Sequence, residues 1–159
     1  MNDIYKVLEE LGIIYQKYDH PAVFTAEDAD LHYSGIDGFK SKNLFLRNKK
    51  GDKHFLVIVK STKKVDLKRL EGLLEADKLS FGSPERMMKY LGLTPGSVSP
   101  FGLINDSEKV VNVVVDKDLL EYKKVAFHPN VNTATLVIDT ENFKKYLEWT
   151  KNKVTYLDL

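Results

Sequence analysis

Apolar residues at Ile4, Val7, Leu8 and Leu11 recur at helical spacing behind a polar start at Asn2 or Asp3, and the pattern stops at Gly12, which predicts a first helix. Ile14 to Tyr18 then reads as a short strand with a turn at His20-Pro21. Thr25-Ala26-Glu27-Asp28 has the form of a capping box and predicts a short helix from about Ala26 to Tyr33. Lys40 to Arg47 and His54 to Val59 are β-rich runs joined by Asn48-Lys49-Lys50-Gly51-Asp52, where glycine suits a positive φ, so they predict a hairpin. Asp66 caps a helix carrying Leu67, Leu70, Leu73 and Leu74; Ser83-Pro84 opens another, which ends before Gly92 and offers Met87, Met88 and Leu91 to the core. After an irregular stretch from Thr94 to Gly102, the valine-rich runs Val110 to Val115, Lys123 to Phe127 and Ala134 to Ile138 read as strands. Thr140 starts a last helix with Phe143, Tyr146 and Leu147 inward, followed by a short tail. Helices and strands alternate irregularly around at least one hairpin, so the expected class is α/β with a mixed sheet. With no repeat or linker, residues 1–159 are expected to form one domain.

Composition narrows the function classes. No run of about 18 apolar residues suits a membrane span, and Met1-Asn2-Asp3-Ile4 does not open a signal peptide, so a cytoplasmic protein is expected. Cysteine is absent, which removes both disulfides and a thiol nucleophile. The formal charge of +1 conceals an asymmetry: Lys40 to Arg69 holds eleven basic residues against two acids, a net +9, and the remainder carries −8. A surface divided this way can dock a polyanion on one side, and Lys40, Arg47, Lys49, Lys50 and Lys53 are the candidates for contact with nucleic acid.

Three polar, turn-rich stretches interrupt the apolar pattern, and such local inconsistencies mark candidate sites. In the first, alternation puts Lys40 and Lys42 on one strand face with Leu44 and Leu46, and Phe39, Ser41, Asn43, Phe45 and Arg47 on the other. Lys42, sharing a face with leucines, can aim its ammonium at phosphate, a ribose hydroxyl or a developing oxyanion. The second, Gly96 to Leu103, holds two glycines and a proline and can present backbone N–H groups to an anion, although the lysine and hydroxyl of a P-loop are missing. In the third, Pro129 holds His128 extended, and Asn130, Asn132, Thr133 and Thr135 add amides and hydroxyls for a small polar substrate. The four histidines lack metal-ligand spacing, and no nucleophile elbow occurs.

Taken jointly, these stretches resemble the YbaK/ProX family of aminoacyl-tRNA deacylases, specifically the freestanding prolyl-tRNA editing proteins. His20-Pro21-Ala22-Val23-Phe24-Thr25-Ala26-Glu27 is similar to the family's N-terminal pocket segment and Lys42-Asn43-Leu44-Phe45-Leu46 to its lysine strand. Val98-Ser99-Pro100-Phe101-Gly102 resembles its glycine-proline loop, and His128-Pro129 with Asn132 and Thr135 its closing motif. Ala26-Glu27-Asp28 departs from the commoner pattern of a bulkier residue and two glutamates. The resemblance implies a mainly antiparallel, twisted, partly barrel-like sheet with flanking helices, and hydrolysis in trans of the ester joining a wrong amino acid to the tRNA for proline. It further implies Lys42 as the catalytic residue at the terminal adenosine, and substrate contacts from Thr25, Asn43, Gly96, Ser99, Pro100, Gly102, His128 and Asn132. Water is then the nucleophile, with no metal or organic cofactor, and prolyl-tRNA synthetase is a possible partner. Pro-Phe-Gly with His-Pro-x-x-Asn is similar to the alanine-specific branch. Cysteinyl-, seryl- or threonyl-tRNA, a small-molecule ester, and non-catalytic binding of the acceptor end stay open as alternatives.

Overall fold

The computed structural model describes residues 3–22 and 38–159. Four α-helices within them are α1 (Ile4–Glu10), α2 (Leu67–Leu74), α3 (Pro84–Leu91) and α4 (Thr140–Thr150). The strands are β1 (Tyr15–Asp19), β2 (Phe39–Asn48), β3 (His54–Lys60), β4 (Leu79–Phe81), β5 (Val111–Asp116), β6 (Lys124–Phe127), β7 (Ala134–Asp139) and β8 (Val154–Leu157). They join in one mixed sheet of order β1-β7-β6-β2-β3-β5-β8, with β4 added on β2. Pairs β1–β7, β6–β7, β2–β3 and β2–β4 are antiparallel; β2–β6, β3–β5 and β5–β8 are parallel.

Side-chain caps fix the helix starts. Asp3 accepts from the Tyr5 N–H, Asp66 from those of Lys68 and Arg69, and Ser83 from that of Arg86. Gly92 closes α3 in the left-handed region, where glycine carries no Cβ penalty. One face of the sheet bears the main core, in which Phe39, Phe45, Val125, Phe127, Leu136 and Ile138 pack with α1, α3 and α4. On the other face, Leu46, Phe55, Val57, Val59 and Val114 form a second cluster under Leu70 of α2.

Four details differ from the sequence expectation. The three-residue β4 was not expected, and Val154–Leu157 is strand β8 rather than a tail, because pairing to β5 supplies what so short a run lacks by itself. Met88 and Leu73 are 46% and 42% exposed: only Met87 and Leu91 of α3, and Leu70 of α2, reach the interior. A helix of eight residues buries a narrow stripe. The helix expected over about 26–33, and Thr25 with it, lies outside the described residues.

Candidate functional site

Strand register gathers distant residues into one row. In the β2–β6 pair Lys40 lies beside Ala126, the last pair before the strands part; Lys42 and His128 each stand two residues beyond it, on the two sides of the split. Phe127 opposes Leu136 across β6–β7, which sets His128 level with Thr135. His20, just past β1, completes the row by a 2.9 Å hydrogen bond between its Nε2 and Thr135 Oγ1. Phe39, Val125 and Leu136 turn into the main core, so by alternation Lys42, His128 and Thr135 stand on the opposite face. Farther along that face Leu44 and Leu46 enter the cluster beneath α2. Lys42, half-buried, stands where the apolar cover gives way to polar groups.

Beside this row the sheet is split. β2 pairs with β6 only at Phe39 and Lys40, and its pairing with β4 begins at Leu46, preceded by the Gly82 N–H bond to Phe45 O. Lys40 O and Asn48 N bond toward β3, whereas Phe45 O bonds away from it. Alternation therefore turns the Asn43 backbone N–H and C=O toward the opening, where no strand lies among the described residues.

The glycine-proline loop closes one side of that opening and is held by side chains from three elements. Asn43 Nδ2 donates to Val98 O (3.1 Å), Tyr146 Oη to Pro100 O (2.8 Å) and Asn130 Nδ2 to Phe101 O (3.3 Å). Much of the loop's own N–H capacity is committed: Ser97 N bonds Thr94 O, Phe101 N bonds Ser99 Oγ, and Gly102 N bonds Ser99 O. An anion cradle built on those three donors is thus ruled out, which narrows the sequence expectation. Ser99, Pro100 and Gly102 are buried, and Gly96 is exposed. Gly102 sits in close packing: a Cβ there would lie 2.6 Å from Leu93 Cδ1 and 3.1 Å from Leu91 O, so its neighbours would have to shift.

His128 donates from Nδ1 to Ala134 O at 3.0 Å, because a carbonyl can only accept. Burial foremost, and the neighbouring His20, hold its pKa below the ordinary histidine value, so the neutral ring with Nε2 as acceptor is favoured. Asn130 adopts the left-handed region (φ 65°) just after the His-Pro pair, which lets its amide reach Phe101. Asn132 is half-buried on the same turn. Lys42, His128 and Thr135 share one face of the sheet, Lys42 on the β2 side of the split and the other two on the β6–β7 side; Asn43 lies on the other face and ties the loop to β2.

The basic residues sort differently from their sequence order. Arg47 bonds Asn48 O and Lys49 O, and the side chain of Asn48 accepts from the N–H groups of Gly51, Asp52 and Lys53, giving the β2–β3 turn a fixed shape. Lys49, Lys50 and Lys53 are exposed on it, and Lys40 is half-buried on the strand. Arg86 of α3, outside the basic segment, reaches the same turn through Gly51 O (3.0 Å) and His54 Nε2 (2.9 Å). The two guanidiniums converge at Gly51: a Cβ there would sit about 3 Å from an Nη2 of each. His54 is buried, and burial, then Arg86, Arg47 and Lys89, depress its pKa. Lys63, counted in the basic segment, is instead committed to Asp116 (2.6 Å) and Asp118 (2.8 Å). Sequence reading missed Arg86 and named His20 only as part of the N-terminal pocket segment; the Ser83-Pro84 helix start places Arg86, but only the fold carries it to the hairpin.

A mixed sheet that splits between Lys42 and His128, with basic side chains gathered at the β2–β3 turn, carries the candidate site. The chain matches the aminoacyl-tRNA editing domain over residues 20–146 and belongs to that family of deacylases. It is 42% identical over 153 residues to the prolyl-tRNA editing protein ProX of Acetoanaerobium sticklandii, covering 96% of this chain and 93% of the relative. It is 33% identical over 156 residues to the prolyl-tRNA synthetase associated domain-containing protein 1 of Danio rerio, covering 94% and 84%. Among solved structures it resembles the hypothetical protein APE2540 (TM-score 0.75, 17% identity, 98% of each chain covered). A candidate trans-editing enzyme for prolyl-tRNA synthetase has the same fold (TM-score 0.72, 23% identity, 98% and 94% covered). Among the described residues no helix is long and apolar enough to cross a membrane.

Proposed function

We propose that the protein removes a wrongly attached amino acid, alanine foremost, from the tRNA for proline by hydrolysis of the aminoacyl ester, acting in trans on product released by prolyl-tRNA synthetase in the cytoplasm. The observation that carries this reading is the row of Lys42, His128 and Thr135 beside the split in the sheet, in a chain 42% identical to a prolyl-tRNA editing protein. The task has a physical basis. A pocket shaped for proline rejects a smaller amino acid by only ~1–3 kcal/mol per missing methylene, so a second pocket must correct the error.

In this reading the Lys42 ammonium stabilises the negative charge developing on the ester carbonyl, or holds the terminal ribose beside it. Water attacks the carbonyl carbon, the ester C–O bond breaks, and the ribose oxygen leaves with a proton; the free ribose hydroxyl of the substrate can assist. His128 and Asn132 bound the side-chain pocket. Asn43, Ser99, Pro100 and Gly102 form its frame, with Gly96 at the exposed end. The ester is already activated, so positioning and electrostatics suffice without metal or organic cofactor. Arg47 stands five residues along β2 from Lys42, about 16 Å of strand. Arg47, Arg86, Lys49, Lys50 and Lys53 can therefore follow the acceptor-stem phosphates while Lys40 and Lys42 meet the tip.

The test is to incubate the protein with tRNA for proline charged separately with alanine, cysteine, serine and proline, and to follow each ester. Faster loss of the alanyl than the prolyl ester is expected, because a pocket fitted to a methyl group clashes with the proline ring. Preferential loss of the cysteinyl or seryl ester reassigns the amino acid. Binding with no hydrolysis of any ester overturns the deacylase reading in favour of an acceptor-end binding module.

A further inference from the structure

We propose that His20 is a positioning residue that sets the imidazole of His128 through Thr135, and with it the shape of the amino-acid pocket; this rests on the reading of His128 as a wall of that pocket. The contacts centre on the start of β7 and the residue before it. Three successive residues, Thr133 to Thr135, each bond one of the two histidines: the His20 N–H donates to Thr133 O (2.9 Å), His128 Nδ1 to Ala134 O (3.0 Å), and His20 Nε2 meets Thr135 Oγ1 (2.9 Å). The first of these extends the β1–β7 ladder one step beyond Asp19 and Ala134, so the backbone of His20 is fixed by the sheet.

Hydrogen-bond polarity then fixes its ring. His20 Nδ1 lies 2.9 Å from Pro21 O, and a carbonyl oxygen only accepts, so Nδ1 carries the hydrogen. In the neutral ring Nε2 is left as an acceptor and the Thr135 hydroxyl must donate to it. Thr135 is fully buried, so its hydroxyl has a strong need for that partner. The two imidazoles stand 6.0 Å apart between centroids with planes inclined at 59°, so His20 forms a side against which His128 packs. Thr135 faces His128 across β6–β7 and is held from the other side by His20. Removing the His20 ring therefore leaves a buried hydroxyl without this acceptor and takes away one lateral support of the His128 ring. Small displacements of a positioned group cost rate steeply.

The test compares the full-length wild type with His20→Leu, which removes the acceptor, and His20→Gln, whose amide can still reach Thr135. Nitrogen-15 NMR of the four histidine rings reports the His128 tautomer directly and needs no substrate. The wild type is expected to show His128 with hydrogen on Nδ1. In His20→Leu that signal is expected to broaden or move toward a mixture of tautomers, and in His20→Gln to return. With alanyl-tRNA for proline, His20→Leu is expected to lower kcat about tenfold with KM within twofold, and to narrow the alanyl-over-prolyl preference; His20→Gln restores most of both. If His20→Leu does not fold, Thr135→Val serves as the removal and Thr135→Ser as the rescue. An unchanged His128 tautomer and an unchanged kcat in the removal variant overturn the proposal. If no ester is cleaved even by the wild type, the deacylase reading fails, and the NMR comparison alone decides the role of His20.

Discussion

The two ends of one sheet face show how a single strand serves stability and chemistry. Toward the C-terminus of β2, Leu44 and Leu46 lie beside Val57, Phe55 and Val114 beneath Leu70, and Leu46 is fully buried. Two residues earlier the same face carries Lys42, and the row continues into His128, Thr135 and His20. The apolar end is covered by α2. The other end faces a sheet that has split, with the glycine-proline loop alongside. Where neighbouring strands diverge, backbone and side chains gain access to a ligand that continuous pairing would exclude, so the site follows from topology as much as from residue type.

This contrast makes its predictions separable. Leu46→Ala should cost about 2–5 kcal/mol in urea unfolding, as a large-to-small change in a closed core, while the folded fraction keeps its deacylation rate within about threefold. A stability loss under about 1 kcal/mol would mean that the apolar end is loosely packed. Next, Asn130→Ala removes a bond that pins the loop at Phe101 and puts at a left-handed position a residue less suited to it than asparagine. The lost bond is expected to cost about 1 kcal/mol of stability and to lower the rate by a larger factor than it changes tRNA affinity.

At the basic corner, Arg47→Ala with Arg86→Ala should weaken tRNA binding about tenfold and flatten its salt dependence, since fewer counterions are released. Lys49→Glu with Lys50→Glu should act in the same direction with little change in the chemical step. An unchanged slope of affinity against salt in both double variants would place the tRNA elsewhere on the molecule.

The smallest effect concerns pH. His54 and His128 both have pKa values depressed in the folded protein, mainly by burial. Near pH 7 both are neutral folded and largely neutral unfolded, so no penalty arises. As pH falls below about 6.5 the unfolded chain binds protons first, and stability declines until the folded values are passed. Urea unfolding at pH 7.5 and 5.5 should show the lower stability at 5.5, with His54→Gln removing part of the difference. Equal stability at the two pH values would mean that the buried rings are solvated.

Much of this was legible in the sequence because the signals are local. Asp66, Ser83-Pro84 and Gly92 set helix ends by capping and left-handed geometry, and the alternation along Lys40 to Arg47 gave the face on which Lys42 stands. Other features needed long-range information. The side chain of Asn43 crosses 55 positions of sequence to hold Val98 O, and nothing near it in the sequence announces that bond. Lys63 counted toward a basic surface until Asp116 and Asp118 were found beside it. Arg86 joins Arg47 only because β4 and α3 return the chain to the hairpin. The two short strands were invisible for the same reason: their partners, not their own residues, make them strands.

In the proposed function Lys42 acts at the ester rather than in the core or in tRNA docking. Its most direct test is single-turnover hydrolysis of alanyl-tRNA for proline by Lys42→Ala, measured at saturating enzyme beside the affinity for the same tRNA and the urea midpoint. A rate lower by about 100-fold or more is expected, with affinity changed less than about threefold and stability within about 0.5 kcal/mol. A rate close to that of the wild type would contradict it.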